Sequence, residues 1–160
     1  EIMQILENYF AGQVDVLFRH HATLDKFIGD AIMAFWGAPQ DNPNQAVDAV
    51  GAALEMIDNV ERYRRDFDHP DFDIGIGLHT GPAVVGMVGT SKRYDYTAIG
   101  DTVNLASRIE GLTKDRARLL VSAATMQACG DAFDFVPHGD FQVKGRVEPV
   151  TLFEPRRKTL

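Results

Sequence analysis

The sequence predicts an α+β fold, with helices packed on a mostly antiparallel sheet. Apolar residues recur at helical spacing in some segments and alternate with polar residues in others, and the two kinds of segment are interspersed along the chain. Several predicted strands are joined by very short connections. Such connections suit antiparallel hairpins and are too tight for the crossover helices of a doubly wound parallel sheet.

The first part of the chain predicts a helix, a hairpin and a second helix. Residues 2–18 carry one apolar stripe at spacings of three and four. The β-type runs 23–28 and 31–36 are separated by two residues, one of them glycine, which is typical of a tight hairpin. After a proline-rich loop, Asn44 begins an amphipathic helix that ends in the polar stretch 62–69. The buried face of this helix is expected to hold Val47, Val50, Leu54, Ile57 and Val60.

A strand and a second hairpin are predicted next. Apolar and polar positions alternate over 72–78, and Gly75 and Gly77 would let another segment approach the backbone from the second face. The runs 83–88 and 94–99 predict the two strands of the hairpin.

The last part of the chain alternates helices and strands. Asp101 is expected to cap a helix that stops at Gly111. A strand over 119–121 precedes a short helix capped by Ser122, and a final hairpin is expected over 141–153.

Length and composition fit a single folded domain over residues 1–160. The chain is 45% hydrophobic and 24% charged, close to the average globular protein. Because it begins with Glu1 and not Met, we expect it to be part of a longer protein.

Charge and cysteine content narrow the range of functions. The net charge of −7 argues against salt-driven binding of nucleic acid or of an anionic membrane. Cys129 is the only cysteine and cannot form an intrachain disulfide, so we expect a cytoplasmic location. It falls on a short predicted helix, where a free cysteine is more often a packing residue than a nucleophile. The sequence contains neither a signal peptide nor an apolar run near the ~18 residues of a membrane span.

Common phosphate and metal motifs do not match. Residues 81–86 have the glycine spacing of a Walker A loop, but Met87 and Val88 follow where a lysine and a hydroxyl residue are needed. The five histidines show no zinc-site spacing.

Five polar residues nevertheless lack an obvious structural role. Lys26 lies among apolar neighbours on a predicted strand, and Asp30 lies at the tip of its hairpin. Asn104 and Arg108 are four residues apart and so share one face of a helix. Lys144 precedes a glycine in the last hairpin. Taken singly, each could be a turn former or a solvated charge.

Taken together, the segments that hold these residues resemble the catalytic domain of class III adenylate and guanylate cyclases. The matching stretches occur in family order at 24–37 (LDKFIGDAIMAFWG), 75–81 (GIGLHTG), 94–111 (YDYTAIGDTVNLASRIEG) and 143–145 (VKG). The third stretch is long and specific, and the four together span nearly the whole chain. The resemblance implies a ferredoxin-like α+β fold, whose first strand is expected to be missing from this chain.

The resemblance also implies the reaction and the residues that serve it. In the family, the 3′ hydroxyl of a nucleoside triphosphate attacks its own α-phosphate and pyrophosphate leaves. By position, Arg108 would stabilise charge on the α-phosphate and Asn104 would orient the ribose. Lys144 matches the lysine that binds the terminal phosphates.

Lys26 and Thr97 occupy the positions at which the family reads the base. A lysine only donates, which suits adenine N1, and the Thr97 hydroxyl can accept from the N6 amine. Guanylate cyclases carry an acid at the position of Lys26, so we expect ATP as substrate, with guanylate cyclase activity less expected. Thr97 stands where many adenylate cyclases have aspartate and marks a subgroup of the family.

The family site also needs two divalent ions, Mg²⁺ or Mn²⁺, and a second chain. Asp30 matches one of the two metal aspartates, and the other belongs to the strand expected before this chain. A homodimer with shared active sites is implied, in which residues 31–36 and 81–88 could be buried at the interface. Core packing explains these two segments about as well.

Three functions therefore remain under comparison. The first is an adenylate cyclase that acts in intracellular signal transduction. The second is a catalytically silent cyclase-homology module that binds a nucleotide or a partner for regulation. A palm-type nucleotidyl transferase shares the α+β layout, but it offers no role for Asn104 and Arg108.

Overall fold

Helices and strands alternate in the computed structural model, which describes residues 2–68 and 72–159. Within these residues there are four helices and eight strands, in the order α1 (Ile2–Arg19), β1 (Thr23–Ile28), β2 (Ala31–Phe35), α2 (Gln45–Asp66), β3 (Ile76–Leu78), β4 (Val84–Thr90), β5 (Arg93–Ile99), α3 (Asp101–Gly111), β6 (Leu119–Ser122), α4 (Ala123–Cys129), β7 (Asp134–Phe141) and β8 (Val150–Arg156).

The strands form one four-stranded sheet and two separate hairpins. The large sheet has the order β3-β6-β8-β7, in which β3 and β6 are parallel and the other neighbours are antiparallel. β1 pairs with β2, and β4 pairs with β5, both antiparallel. The predicted α+β fold with mostly antiparallel strands is confirmed, although the strands are divided among three sheets.

Strand β6 is buried on both of its faces. Leu119 and Val121 pack with α2 and α4, whereas Leu120 packs with Leu105 and Ile109 of α3. Because successive side chains of a strand point to opposite faces, this burial requires helices on both sides of the sheet.

A third cluster joins α1, α2 and the first hairpin. Val16 and Leu17 of α1 meet Ala52 and Met56 of α2, and Leu24, Ile32, Ala34 and Trp36 pack against them. One side of the 31–36 segment therefore belongs to the core of this chain. In the described part of the chain, no helix combines the length and the apolar character needed to cross a bilayer.

Three predicted boundaries were wrong. Only Ile76–Leu78 of the predicted strand 72–78 forms a strand. The last residue of the predicted tail 62–69 lies outside the described residues. Gly100 occupies the cap position of α3, and Asp101 is the first helical residue, where its carboxylate lies 2.5 Å from Arg146.

The final hairpin also begins earlier than predicted. Its first strand is β7, not a strand that begins at Phe141. Pro137 and Gly139 disfavour a strand in sequence, and here they flank an irregularity in the pairing with β8.

Gly77 lets α3 lie directly on β3. A Cβ atom at this position would lie 2.7 Å from the Ala106 carbonyl oxygen and 2.8 Å from the Glu110 Cα. The expectation that glycine allows a close backbone approach agrees with this contact. Since Asn104 and Arg108 are on α3, the contact also sets where these two side chains lie.

We predict that Gly77→Ala lowers the free energy of unfolding by about 1–3 kcal/mol, because the new methyl group forces α3 away from the sheet. Gly111→Ala is the matched control, since a Cβ there meets nothing within 4 Å. Urea unfolding measures both variants. Equal stability of the two would contradict the tight contact.

Candidate active site

Lys26 lies beside a β-bulge in β1. Leu24 pairs with Ala34 and Lys26 with the adjacent Met33, so Asp25 is an extra residue on the β1 side. Residues that pair directly across two strands lie on the same face of the sheet. In a regular strand, residues two apart also share a face, so Lys26 would lie with Leu24 against the α1–α2 core. The bulge instead places Lys26 on the opposite face.

The carboxylate of Asp25 links Lys26 and Thr97. The Asp25 side chain is 0% exposed, and its Oδ2 accepts hydrogen bonds from the Thr97 hydroxyl at 2.6 Å and from the Ala98 amide at 3.2 Å. Its Oδ1 lies 3.6 Å from the Lys26 Nζ and accepts no hydrogen bond in the described structure. The two predicted base-reading residues thus meet at one buried carboxylate.

Lys26 and Thr97 differ in their exposure. The Lys26 side chain is 46% exposed, so its ammonium can reach a ligand. Thr97 is 4% exposed and lies opposite Gly86 in the β4–β5 pair. Thr97 is therefore enclosed by its neighbours, whereas the Lys26 side chain is open to solvent.

Arg108 and Lys144 form a second pair. The Arg108 Nη1 donates to the Lys144 carbonyl oxygen at 2.5 Å, which joins α3 to the connection between β7 and β8. Gly145 follows with a φ of +87°, a conformation that favours glycine. The Arg108 and Lys144 side chains are exposed, and so is Asn104, one helical turn before Arg108. Two cations and an amide therefore lie at one end of the large sheet.

The two pairs are connected by a short segment of chain. β5, which carries Thr97, ends at Ile99, and α3 begins at Asp101. Gly100 makes the turn between them with a φ of +136°. Thr97 and the helix with Asn104 and Arg108 thus lie on consecutive elements, whereas Lys26 lies on β1.

The remaining predicted site residue is Asp30, the expected metal ligand. It is exposed in the turn between β1 and β2, and none of the other predicted site residues hydrogen-bonds to it in the described structure. Across residues 2–68 and 72–159, no group of three or more His, Cys, Asp or Glu side chains could hold a metal ion. One exposed carboxylate does not by itself fit a divalent cation, which prefers six or more oxygen ligands.

Asp25 lies within the 24–37 stretch, but its sequence context predicts no role for it. The available signal was a second charged residue beside Lys26 in an otherwise apolar strand. A charge on a strand is usually solvent-exposed, and only the bulge shows that this one is buried.

Two other reactive side chains are structural. His79 Nδ1 lies 2.7 Å from Ser122 Oγ, and burial lowers the pKa of His79, with a further lowering by Arg146. Ser122 caps α4 as predicted, by accepting from the Thr125 amide. Burial raises the pKa of the Cys129 thiol to about 11, which agrees with a packing residue.

Comparisons with known proteins point to one family. The family described as "Adenylate and Guanylate cyclase catalytic domain" matches residues 1–154. Adenylate cyclase 1 of Rhizobium meliloti is 38% identical over 158 residues, a match that covers 96% of this chain and 24% of that protein. The chain thus spans about a quarter of this curated relative.

Solved structures give the same result. The adenylyl cyclase CyaB from P. aeruginosa superposes with a TM-score of 0.88 at 30% identity, covering 98% of this chain and 83% of that one. The guanylyl cyclase Cya2 superposes with a TM-score of 0.84 at 31% identity, covering 96% and 79%. The similar structures thus include cyclases of both kinds.

We predict that Cys129 reacts with iodoacetamide at pH 8 at least 100-fold more slowly in the folded protein than in urea, because its pKa of about 11 leaves little thiolate compared with an unfolded pKa near 8.5. The folded state holds the proton more tightly. The free energy of unfolding should therefore fall as the pH rises from about 8.5 towards 11. Equal labelling rates in the two states would show an accessible thiol.

Proposed function

The chain belongs to the adenylate and guanylate cyclase catalytic domain family, and on that basis we propose that it converts ATP to 3′,5′-cyclic AMP and pyrophosphate. Because similar proteins include both an adenylate and a guanylyl cyclase, the choice of base is argued from this chain's own residues. The observation that carries the proposal is the meeting of Lys26 and Thr97 at Asp25.

The base is selected by hydrogen-bond direction. A lysine ammonium only donates, and adenine N1 accepts, whereas N1 of guanine carries a proton. The Thr97 hydroxyl can accept from the N6 amine of adenine, while guanine presents a carbonyl oxygen there. Lys26 and Thr97 therefore favour ATP over GTP.

Arg108 and Lys144 supply the positive charge for the triphosphate. Arg108 uses one of its five N–H donors on the Lys144 carbonyl, so others remain for an α-phosphate oxygen. Charge that develops on these oxygens as the 3′ oxygen attacks and pyrophosphate leaves is stabilised by a fixed cation. Lys144, beside Arg108 in space, would bind the terminal phosphates.

Asn104 would orient the nucleophile. It lies one turn before Arg108 on the same side of α3, so an amide bound to the ribose and a guanidinium on the α-phosphate would act on adjacent parts of one nucleotide. Orientation of an intramolecular nucleophile can lower the barrier by about 7 kcal/mol or more.

Cyclases of this class generally use divalent cations, and we propose that Asp30 is a ligand of one of them. A carboxylate oxygen suits Mg²⁺ or Mn²⁺. The described residues do not complete such a site, so no step of the reaction is assigned to the ion.

A homodimer is proposed because the β4–β5 hairpin exposes large apolar side chains. Val84 and Met87 are 68% and 62% exposed, and Val88, Tyr94 and Ile99 are also exposed. By strand register Val84 and Ile99 share one face and Met87 and Tyr94 the other, so the hairpin is apolar on both sides. Exposed apolar surfaces of this kind mark contacts between proteins.

In the proposed dimer each active site is shared. Lys26, Thr97, Asn104, Arg108 and Lys144 of one protomer would bind the nucleotide, and Asp30 would come from the other protomer. Asp30 is exposed in the turn between β1 and β2, so it is accessible to a second protomer.

A catalytically silent module that binds a nucleotide is the second candidate. It is favoured by the finding that, among the described residues, no group of three or more His, Cys, Asp or Glu side chains could hold a metal ion. Incubation of the full-length protein with ATP or GTP and Mn²⁺ or Mg²⁺ separates the two candidates. Release of cyclic nucleotide and pyrophosphate supports the enzyme, and nucleotide binding without release supports the silent module. Equal use of both triphosphates would contradict only the choice of base.

We predict that Arg108→Ala lowers kcat for ATP at least 100-fold, because a fixed cation for the transition state is lost. The melting temperature should change little, since the side chain is exposed. Arg65→Ala is the control, because that arginine is also exposed on a helix but lies near the end of α2. Similar kcat values for the two variants would contradict the role of Arg108.

We predict that Met87→Asp converts the dimer to a monomer, because a charge cannot be buried unpaired in an apolar interface. Light scattering measures the molecular mass of the particle in solution. The cyclase activity, measured at the same protein concentration, should fall when the dimer is lost. Val147→Asp introduces the same charge at a residue that is 96% exposed outside the hairpin, and it should leave the mass unchanged. A Met87→Asp protein that stays dimeric would place the interface elsewhere.

A further inference from the structure

A buried carboxylate between two base-reading residues needs an explanation. Asp25 is fully buried, it sits at a bulge in β1, and one of its oxygens accepts no hydrogen bond in the described structure. Burying a carboxylate is costly unless its oxygens are paired, and a neutral residue would pack in β1 at lower cost. The role of Asp25 is therefore sought in what it does to its neighbours.

Asp25 determines which way the Thr97 hydroxyl points its proton. A hydroxyl has one proton and two lone pairs and rotates to suit its partners. A carboxylate oxygen only accepts, so at 2.6 Å the Thr97 proton must be directed at Asp25 Oδ2. The Ala98 amide donates to the same oxygen, which fixes the carboxylate against β5.

This arrangement removes an ambiguity that threonine alone would have. A free hydroxyl could accept from the N6 amine of adenine or donate to the O6 carbonyl of guanine, so it would not separate the two bases. With its proton held by Asp25, Thr97 offers only lone pairs. A guanine O6 would then face another acceptor, whereas the adenine amine would find its partner.

The second oxygen of Asp25 faces the other base-reading residue. Oδ1 lies 3.6 Å from the Lys26 Nζ, close enough to attract the ammonium but beyond hydrogen-bond distance. The ammonium is thereby held near Thr97 while its three donors stay available for a ligand.

We propose that Asp25 is a positioning residue for base specificity, which makes Thr97 an acceptor and keeps Lys26 beside it. The proposal rests on the proposed function in that it takes a purine nucleoside triphosphate as the ligand. It adds that discrimination against GTP comes from the Asp25–Thr97 pair and not from Thr97 by itself.

The test compares ATP with GTP in the full-length protein. In Asp25→Ala, the ratio of kcat/KM for ATP to kcat/KM for GTP should fall about tenfold, the size of one hydrogen-bond preference. The fall should come from a lower KM for GTP as Thr97 gains a donor. A merely structural role would lower kcat/KM for both nucleotides alike and leave the ratio unchanged.

Three further variants control for packing and charge. Asp25→Asn should keep most of the wild-type ratio, because the Ala98 amide selects the amide oxygen, which still accepts from Thr97. Thr97→Val should lower the ratio, and adding Asp25→Ala to the Thr97→Val variant should lower it no further. Asp95→Ala removes an exposed carboxylate from β5, the strand that carries Thr97, and should leave the ratio unchanged. If Asp25→Ala does not fold, Asp25→Leu takes its place, because it also removes the acceptor but fills the space, and it should lower the ratio in the same way.

A binding measurement separates this proposal from the proposed function. 3′-Deoxy-ATP and 3′-deoxy-GTP lack the attacking hydroxyl, so competition between them reports base preference without turnover. If the wild type prefers 3′-deoxy-ATP and Asp25→Ala does not, the result supports the role of Asp25 even when the wild type makes no cyclic nucleotide. Another outcome is that the wild type converts ATP while Asp25→Ala keeps an ATP-to-GTP ratio of kcat/KM within twofold of the wild-type ratio. This result overturns the role of Asp25 and leaves the cyclase proposal standing. A wild type that binds both analogues equally, or neither, also overturns it.

Discussion

Burial of β6 on both faces is the constraint from which the rest of the structure follows. Leu119 and Val121 need α2 and α4 on one side, and Leu120 needs α3 on the other. An α3 that covers the sheet must end close to the connection between β7 and β8, where Arg108 meets the Lys144 carbonyl. The packing of the core thus sets the position of Arg108 and Lys144, the residues proposed to bind the phosphates, because α3 is held in place by apolar contacts.

The side of the candidate site that is proposed to read the base depends on a polar contact instead. Lys26 and Thr97 come from two separate hairpins, and the hydrogen bonds of Asp25 to Thr97 and Ala98 hold the hairpins together at this point. One half of the site is therefore positioned by hydrophobic packing and the other by a buried carboxylate.

Local patterns in the sequence predicted most of the fold. The tight β1–β2 turn, the helices α1 and α2 and the Ser122 cap depend on residues close in sequence, and these predictions agree with the structure. On the predicted face of α2, Val50 and Val60 are buried, whereas Val47, Leu54 and Ile57 are only half-buried. The start of β7 was missed because Pro137 and Gly139 disfavour a strand, and pairing with β8 overrides that preference. Asp25 was missed for a related reason, since a bulge depends on the pairing of two strands and cannot be read from one strand alone. The contact of Arg108 with the Lys144 carbonyl joins residues 36 positions apart and likewise leaves no trace in local sequence.

The bulge in β1 makes the number of residues in that strand as important as their identity. Since one extra residue turns Lys26 from the core face to the opposite face, a deletion of one residue before it would direct a full positive charge into the α1–α2 cluster. The lysine proposed to read the base would then be lost from that face although it is still present in the sequence. In comparisons between homologues, an insertion or deletion in this strand should therefore be examined as carefully as a replacement of the lysine itself.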